Sequence, residues 1–160
     1  MAQADMFLKL TNIKGESGDA KHPDEIEVLS WSFGASQTGS AHGGTGSGTG
    51  KVAIQDLTIT HYVDTASTDL LKHLTTGKHI DEGMLVVRKA GGTHLEYLKI
   101  KMEQVMVTHI SNGGGAGQDR ITENVSLNFR KFKQIYTPQD AKGAAKPSSE
   151  FTWDIAAASE

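Results

Sequence analysis

Strict alternation over residues 121–130 constrains this chain more than any other feature. Ile121, Val125, Leu127 and Phe129 share one parity, and Thr122, Asn124, Ser126, Asn128 and Arg130 share the other. Successive side chains of a strand point to opposite sides, so the segment predicts a strand with one dry face and one wet face. Glu123 falls on the dry parity and is a mild exception. The same period recurs. Met6, Leu8 and Leu10 alternate around Phe7 and Lys9. Residues 26–33 carry Ile26 and Val28 on even positions, then Leu29, Trp31 and Phe33 on odd ones. Residues 52–63 switch likewise, from Val52 and Ile54 to Leu57, Ile59 and His61. One parity switch in a strand predicts a bulge or a bend. Further strands are expected at 84–89, 94–110 and 151–155, with Gly91-Gly92 as a hairpin signal.

One helix is expected. Ser67 is placed to cap it, and Leu70, Leu71 and Leu74 fall on one face. Asp69 lies in the first turn, Lys72 and His73 lie late, and Gly77 ends it. Such a short helix needs packing on a sheet to persist. Strands, turns and one helix predict a mainly-β chain, an all-β barrel or sandwich with the helix packed against it. The 160 residues suffice for one domain, 1–160.

Composition removes several classes. The chain has no Cys, which excludes disulfides, thiolate nucleophiles and Cys-based zinc sites. A formal net charge of -3 disfavours nucleic acid as a partner. No apolar run approaches a membrane span. The start, Met1-Ala2-Gln3-Ala4-Asp5, has neither a basic nor an apolar region, so no cleaved signal peptide is expected.

No motif announces catalysis. Gly44-Thr45-Gly46-Ser47-Gly48-Thr49-Gly50-Lys51 resembles a phosphate-binding loop, but the first required Gly is Thr45, and Val52 replaces the hydroxyl residue. A strand follows, so no helix N-terminus faces a phosphate. His61, His73, His79, His94 and His109 are scattered without metal-ligand spacing. Asp24-Glu25 point to opposite faces of a strand and make no acid/base pair. Asn124-Val125-Ser126 matches a glycosylation acceptor but lies within a predicted strand. Trp31 and Trp153 read as core anchors. The expectation is no catalytic residue, no cofactor and no metal.

The wet faces are more informative. Thr122, Asn124, Ser126 and Asn128 carry no charge, Ser30 and Ser32 flank Trp31, and Thr58 and Thr60 flank Ile59. Two readings stay open: a solvated sheet face, or the lining of an aqueous channel made by several copies. The stretch Thr38–Gly50 holds six Gly in thirteen residues and reads as a long contact loop. Residues 137–150 read as a second loop.

These residues carry a resemblance. Asp5-Met6-Phe7-Leu8-Lys9-Leu10, Ile13-Lys14-Gly15-Glu16-Ser17 and Glu25-Ile26-Glu27-Val28-Leu29-Ser30-Trp31-Ser32 come first. The Gly-rich stretch, Val52 to Tyr62, Lys89-Ala90-Gly91-Gly92, Glu96-Tyr97-Leu98 and Gly113 to Gly115 follow. Glu123-Asn124-Val125-Ser126-Leu127-Asn128-Phe129 and Trp153-Asp154 complete the order. In sequence and spacing the chain resembles the haemolysin-coregulated protein (Hcp) family, the inner-tube subunits of bacterial type VI secretion systems. The resemblance implies a β-barrel of two sheets with one short α-helix and a structural, non-enzymatic role. It implies a homohexameric ring, stacked into a tube, with contractile sheath and spike proteins and luminal effector proteins as partners. It implies a protein that starts in the cytoplasm and is expelled by the machine. Under it, Ser32, with Ser30, Asn124, Ser126 and Asn128, would face the lumen. Thr38, Ser40, His42, Gly44, Thr45, Ser47 and Gly50 would belong to a loop that contacts the next ring. The alternative is a tube protein of a related phage-tail-like injection system.

Overall fold

The computed structural model describes residues 4–39, 52–90 and 94–160. In chain order the elements are β1 (Ala4–Leu10), β2 (Ile26–Glu27), β3 (Ser30–Ser32), β4 (Ala35–Gln37), β5 (Val52–Ile54) and β6 (Leu57–Tyr62). They continue with α1 (Ala66–Thr76), β7 (Ile80–Lys89), β8 (Glu96–Gly113), β9 (Thr122–Tyr136) and β10 (Ser149–Asp154). The chain is mainly β, as expected. An eight-stranded sheet runs β2-β1-β7-β8-β9-β6-β3, with β10 added on β9, and β4 and β5 form a small second sheet.

The parity switches mark real interruptions. The first separates β2 from β3 at Val28-Leu29, and the second separates β5 from β6 at Gln55-Asp56. The first interruption closes the barrel. β2 pairs with β1 at one end of the sheet order, and β3 pairs with β6 at the other. The amide of Val28 donates to Met6 O at 2.9 Å and that of Leu29 to Thr60 O at 2.8 Å. Two residues therefore join the two edges of one curved sheet.

A second device curves it. Inward-facing residues on three neighbouring strands skip from a spacing of two to three: Ile80 to Gly83, Met102 to Val105, and Phe129 to Phe132. Register aligns the skips, with Ile80 opposite Val105, Gly83 opposite Met102, and Phe129 opposite Val105. Gln104, at φ 51, sits on this line. The sheet folds along it, so both halves face one core of Leu8, Leu57, Ile59, Leu85, Ile100, Met102, Val125 and Leu127. Trp31 and Trp153 are partly buried against that core.

Several local readings need correction. Ile121 precedes β9 and is 47% exposed, because the dry face starts only inside the strand. Leu29 lies in the joint between β2 and β3 and is exposed. α1 ends at Gly77, φ 66, as expected, since a left-handed end favours glycine. Ser67 is not its cap. It lies in the first turn and its Oγ accepts the Asp64 amide at 3.1 Å, while Asp64 Oδ1 accepts the Ala66 amide at 2.9 Å. Leu70 is buried, but Leu71 faces outward at 52% exposure. The stretch 137–150 ends in β10, which starts at Ser149.

Candidate functional site: a neutral polar wall

The register of β3, β6, β9 and β8 brings the wet parities together. One row holds Ser30, Thr60, Asn124 and Ser111, and the next holds Ser32, Thr58, Ser126 and His109. Asn128 follows in the next row, opposite Met106. The wet-face residues Ser30, Ser32, Asn124, Ser126 and Asn128 therefore share one outer wall. Ser30 and Ser32 are exposed at its edge strand.

The wall satisfies itself laterally. The hydroxyls of Thr58 and Ser126 share a hydrogen bond at 2.9 Å. Thr60 Oγ1 donates to Asn124 Oδ1 at 2.6 Å. Asn128 Nδ2 and Thr108 Oγ1 donate to the two carboxylate oxygens of Asp56, at 2.9 and 2.6 Å. Cross-strand pairs of this kind fix side-chain positions and stabilise the sheet. Hydroxyl and amide groups already paired with one another hold a ligand weakly. Of the loop residues singled out, Thr38 is exposed just after β4. Ser40, His42, Gly44, Thr45, Ser47 and Gly50 lie outside the described residues.

Beneath the wall lies a feature the sequence only hinted at. His61 and Glu123, both fully buried, sit on the dry parity of β6 and β9. His61 Nε2 stands 3.9 Å from Glu123 Oε2, and its Nδ1 stands 3.9 Å from Asp64 Oδ2. Neither ring nitrogen of His61 and neither carboxylate oxygen of Glu123 has a hydrogen-bond partner. Burial raises the pKa of Asp64, with the His61 charge opposing it and Glu16 and Glu123 adding to it. The signal was present: two ionisable residues on an otherwise apolar parity.

A second network pins residues 11–25 to the barrel. Phe7 stacks on His22, ring centroids 4.5 Å apart, and the Arg88 guanidinium lies 5.0 Å from the same ring. His22 bonds Glu25 at 2.9 Å and Glu96 at 2.6 Å. Arg88 Nη1 donates to Asp19 Oδ2 at 2.9 Å and Nη2 to Asp5 Oδ2 at 3.2 Å. The Arg88 hydrogen bond holds the Asp19 carboxyl well below its ordinary range. Burial alone would raise Glu96, but hydrogen bonds from His22 and Lys99 outweigh it and lower its pKa. Gly15 sets the geometry of this loop. A Cβ there would meet Glu25 O at 2.5 Å, so no side chain fits where the two backbones cross.

Among the described residues, no three His, Asp or Glu side chains are grouped to hold a metal ion, and no helix is long and apolar enough to cross a membrane. What the molecule does present is a curved barrel, a buried His61–Glu123 pair, and one broad wall of hydroxyl and amide side chains that also holds the Asp56 carboxylate. That defines a mainly-β barrel with a broad polar outer face.

The comparisons narrow the class. The family model described as type VI secretion system effector, Hcp, matches residues 7–136. Protein hcp1 of Pseudomonas aeruginosa is 46% identical over 153 residues, which cover 94% of each chain. A solved type six secretion system protein superposes with TM-score 0.91 at 28% identity, covering 98% of both chains. Hcp1 of Salmonella typhimurium gives 0.78 at 36% identity, covering 99% of this chain and 98% of its own. A type VI secretion system effector of Yersinia pestis gives 0.77 at 34%, covering 94% and 99%. The chain belongs to the Hcp family of type VI secretion system proteins. Its role in that system is that of a structural tube subunit.

Proposed function

We propose that this subunit forms homohexameric rings whose lumen is lined by the neutral wall, with Ser30, Ser32, Asn124, Ser126 and Asn128 facing inward. The observation that carries this reading is the continuity of hydroxyl and amide side chains across β3, β6 and β9, joined on β8 by Ser111, with lateral hydrogen bonds that leave little unspent polarity and that hold the one carboxylate, Asp56. A lumen of that chemistry, its one carboxylate already bonded to Asn128 and Thr108, holds small folded effector proteins weakly. Rings stack through the Thr38–Gly50 segment, a contractile sheath surrounds the stack, and a spike protein caps it. The subunit is made in the cytoplasm and leaves the cell with the tube. The experiment is a single cysteine at Ser32→Cys in a chain that has none. Light scattering should return six times the 17.1 kDa of one chain. A bulky maleimide should label position 32 in isolated rings and far more slowly in intact tubes. Monomers would defeat the ring, and fast labelling from outside intact tubes would defeat the lumen assignment.

A further inference from the structure

Phe7 lies off the core parity of Met6, Leu8 and Leu10 and points to the outer face of β1, yet it is only 5% exposed. Residues 11–25 cover it as a strap, with the His22 ring stacked on it at 12° between planes. The strap closes on itself through backbone bonds. The amides of Gly15, Ser17 and Asp24 donate to Asp24 O, Glu25 O and Ser17 O at 2.8, 3.0 and 2.9 Å. His22 is buried at 7% exposure, and both its ring nitrogens meet carboxylates. Nδ1 stands 2.9 Å from Glu25 Oε2, and Nε2 stands 2.6 Å from Glu96 Oε1. A carboxylate only accepts hydrogen bonds, and a neutral imidazole has a single donor. Two bonds therefore require one proton more than a neutral ring and two carboxylates carry. Glu96 does not hold it. Burial would raise its pKa, but hydrogen bonds from His22 and Lys99 lower it, and Lys99 Nζ lies 3.2 Å from its other oxygen. The extra proton belongs to the His22–Glu25 pair. Without it, a ring lone pair and a carboxylate oxygen face each other in a buried site, and neither has a donor.

We propose that this shared proton is a latch: it fastens residues 11–25 over the outer face of β1, and its loss frees them. The strap runs straight into β2, which pairs with β1 and leads to the joint at Val28 and Leu29. Release therefore uncovers Phe7 and loosens one edge of the sheet. The charged groups around the ring are Glu25 and Asp19 on the strap, Asp5 on β1, Arg88 on β7, and Glu96 with Lys99 on β8. Asp19 Oδ2 also accepts the His22 amide at 3.1 Å. The Asp19 hydrogen bond raises the pKa of Arg88, and the Arg88 hydrogen bond lowers that of Asp19. That pair keeps its charges over the range in which an imidazolium gives up its proton, about pH 5 to about pH 8. The switch is thus confined to His22 and Glu25, and the Arg88 ion pairs hold the strap at a second point whatever the pH.

The test is hydrogen exchange of the full chain, read by mass spectrometry, with each rate divided by the intrinsic rate at that pH. From about pH 5.5 to about pH 8.5, protection of peptides within residues 12–25 should fall at least about tenfold, while peptides of β8 and β9 hold theirs. Glu25→Gln identifies the proton. Its amide oxygen accepts from a charged ring and its amide nitrogen donates to a neutral one, so this variant needs no extra proton. Its strap should stay protected at both pH values, within about threefold. His22→Phe keeps a ring on Phe7 and removes both nitrogens, so its strap should exchange at pH 5.5 as fast as the parent's does at pH 8.5. Parent protection that does not change with pH overturns the latch. So does a Glu25→Gln chain that loses protection as the parent does, or a His22→Phe chain as protected at pH 5.5 as the parent.

Discussion

Asp64 gives one carboxylate two duties. Oδ1 holds the first amide of α1, and Oδ2 faces the buried His61. Burial raises its pKa above the ordinary value. A carboxyl raised in the folded state binds its proton more readily there than in the unfolded chain. Its ionisation therefore weakens the fold as pH rises through the raised value, and that cost is absent below about pH 3.9, the unfolded value. Asp64→Asn keeps an acceptor for Ala66 and removes the charge. The stability of the variant relative to the parent should improve as pH climbs from about 4 to about 7.5, read by urea unfolding at each pH. A difference that is flat or falls with pH would mean that attraction to His61 outweighs burial. The comparison must be variant against parent, because Asp19 and Glu96 are lowered and tilt the parent's own curve the opposite way. At this scale the sequence was half readable. Parity placed His61 and Glu123 on the dry side, but nothing local could show that the two would face each other across paired strands.

α1 shows where element-level reading succeeds and where it slips. Asp69 in the first turn, His73 in the last and Gly77 at the end were all legible, because caps and dipoles act within one turn. The face was less so. Leu70 and Leu71 are about 100° apart around a helix, so a face that claims both leaves the sheet to choose. The sheet takes Leu70, which is fully buried, and leaves Leu71 in solvent. Leu70→Ala should cost about 2–5 kcal/mol of unfolding free energy. Leu71→Ser should change it by no more than about 0.5 kcal/mol, as expected of an exposed site. Urea denaturation of both variants decides this, and the reverse order would mean that the helix packs with its other flank. The strand breaks at Val28-Leu29 and Gln55-Asp56 were legible as parity switches. Their partners were not, because pairing of β2 with β1 and of β3 with β6 is set by closure of the whole sheet. The three aligned skips near Gln104 were hidden for the same reason: each is unremarkable alone and acquires meaning only when the register lines them up.

Closure is a property of the whole molecule, and it hangs on very little chain. Val28 and Leu29 send consecutive amides to opposite edges of the sheet, one to Met6 and one to Thr60. β3 then has only three residues with which to hold Ser30 and Ser32 beside Thr60 and Thr58. The neutral wall thus depends on a joint rather than on a long strand. Leu29→Pro removes one of the two amide donors at that joint and leaves Thr60 O without its partner. An unmade bond of this kind costs about 1–3 kcal/mol, and the side chain lost is already exposed, so little packing energy goes with it. The unfolding free energy should fall by that amount, and the urea midpoint with it. Amide exchange should quicken first in Ser30–Ser32 and along β6, before the β7–β8–β9 core responds, because local opening precedes global unfolding. If the edge row of the wall is loosened in this way, the variant should also form rings less readily, seen by light scattering as a shift of mass toward the single chain. A variant with an unchanged midpoint and unchanged exchange at β3 would show that pairing along β6 suffices to close the barrel and that the joint merely follows it.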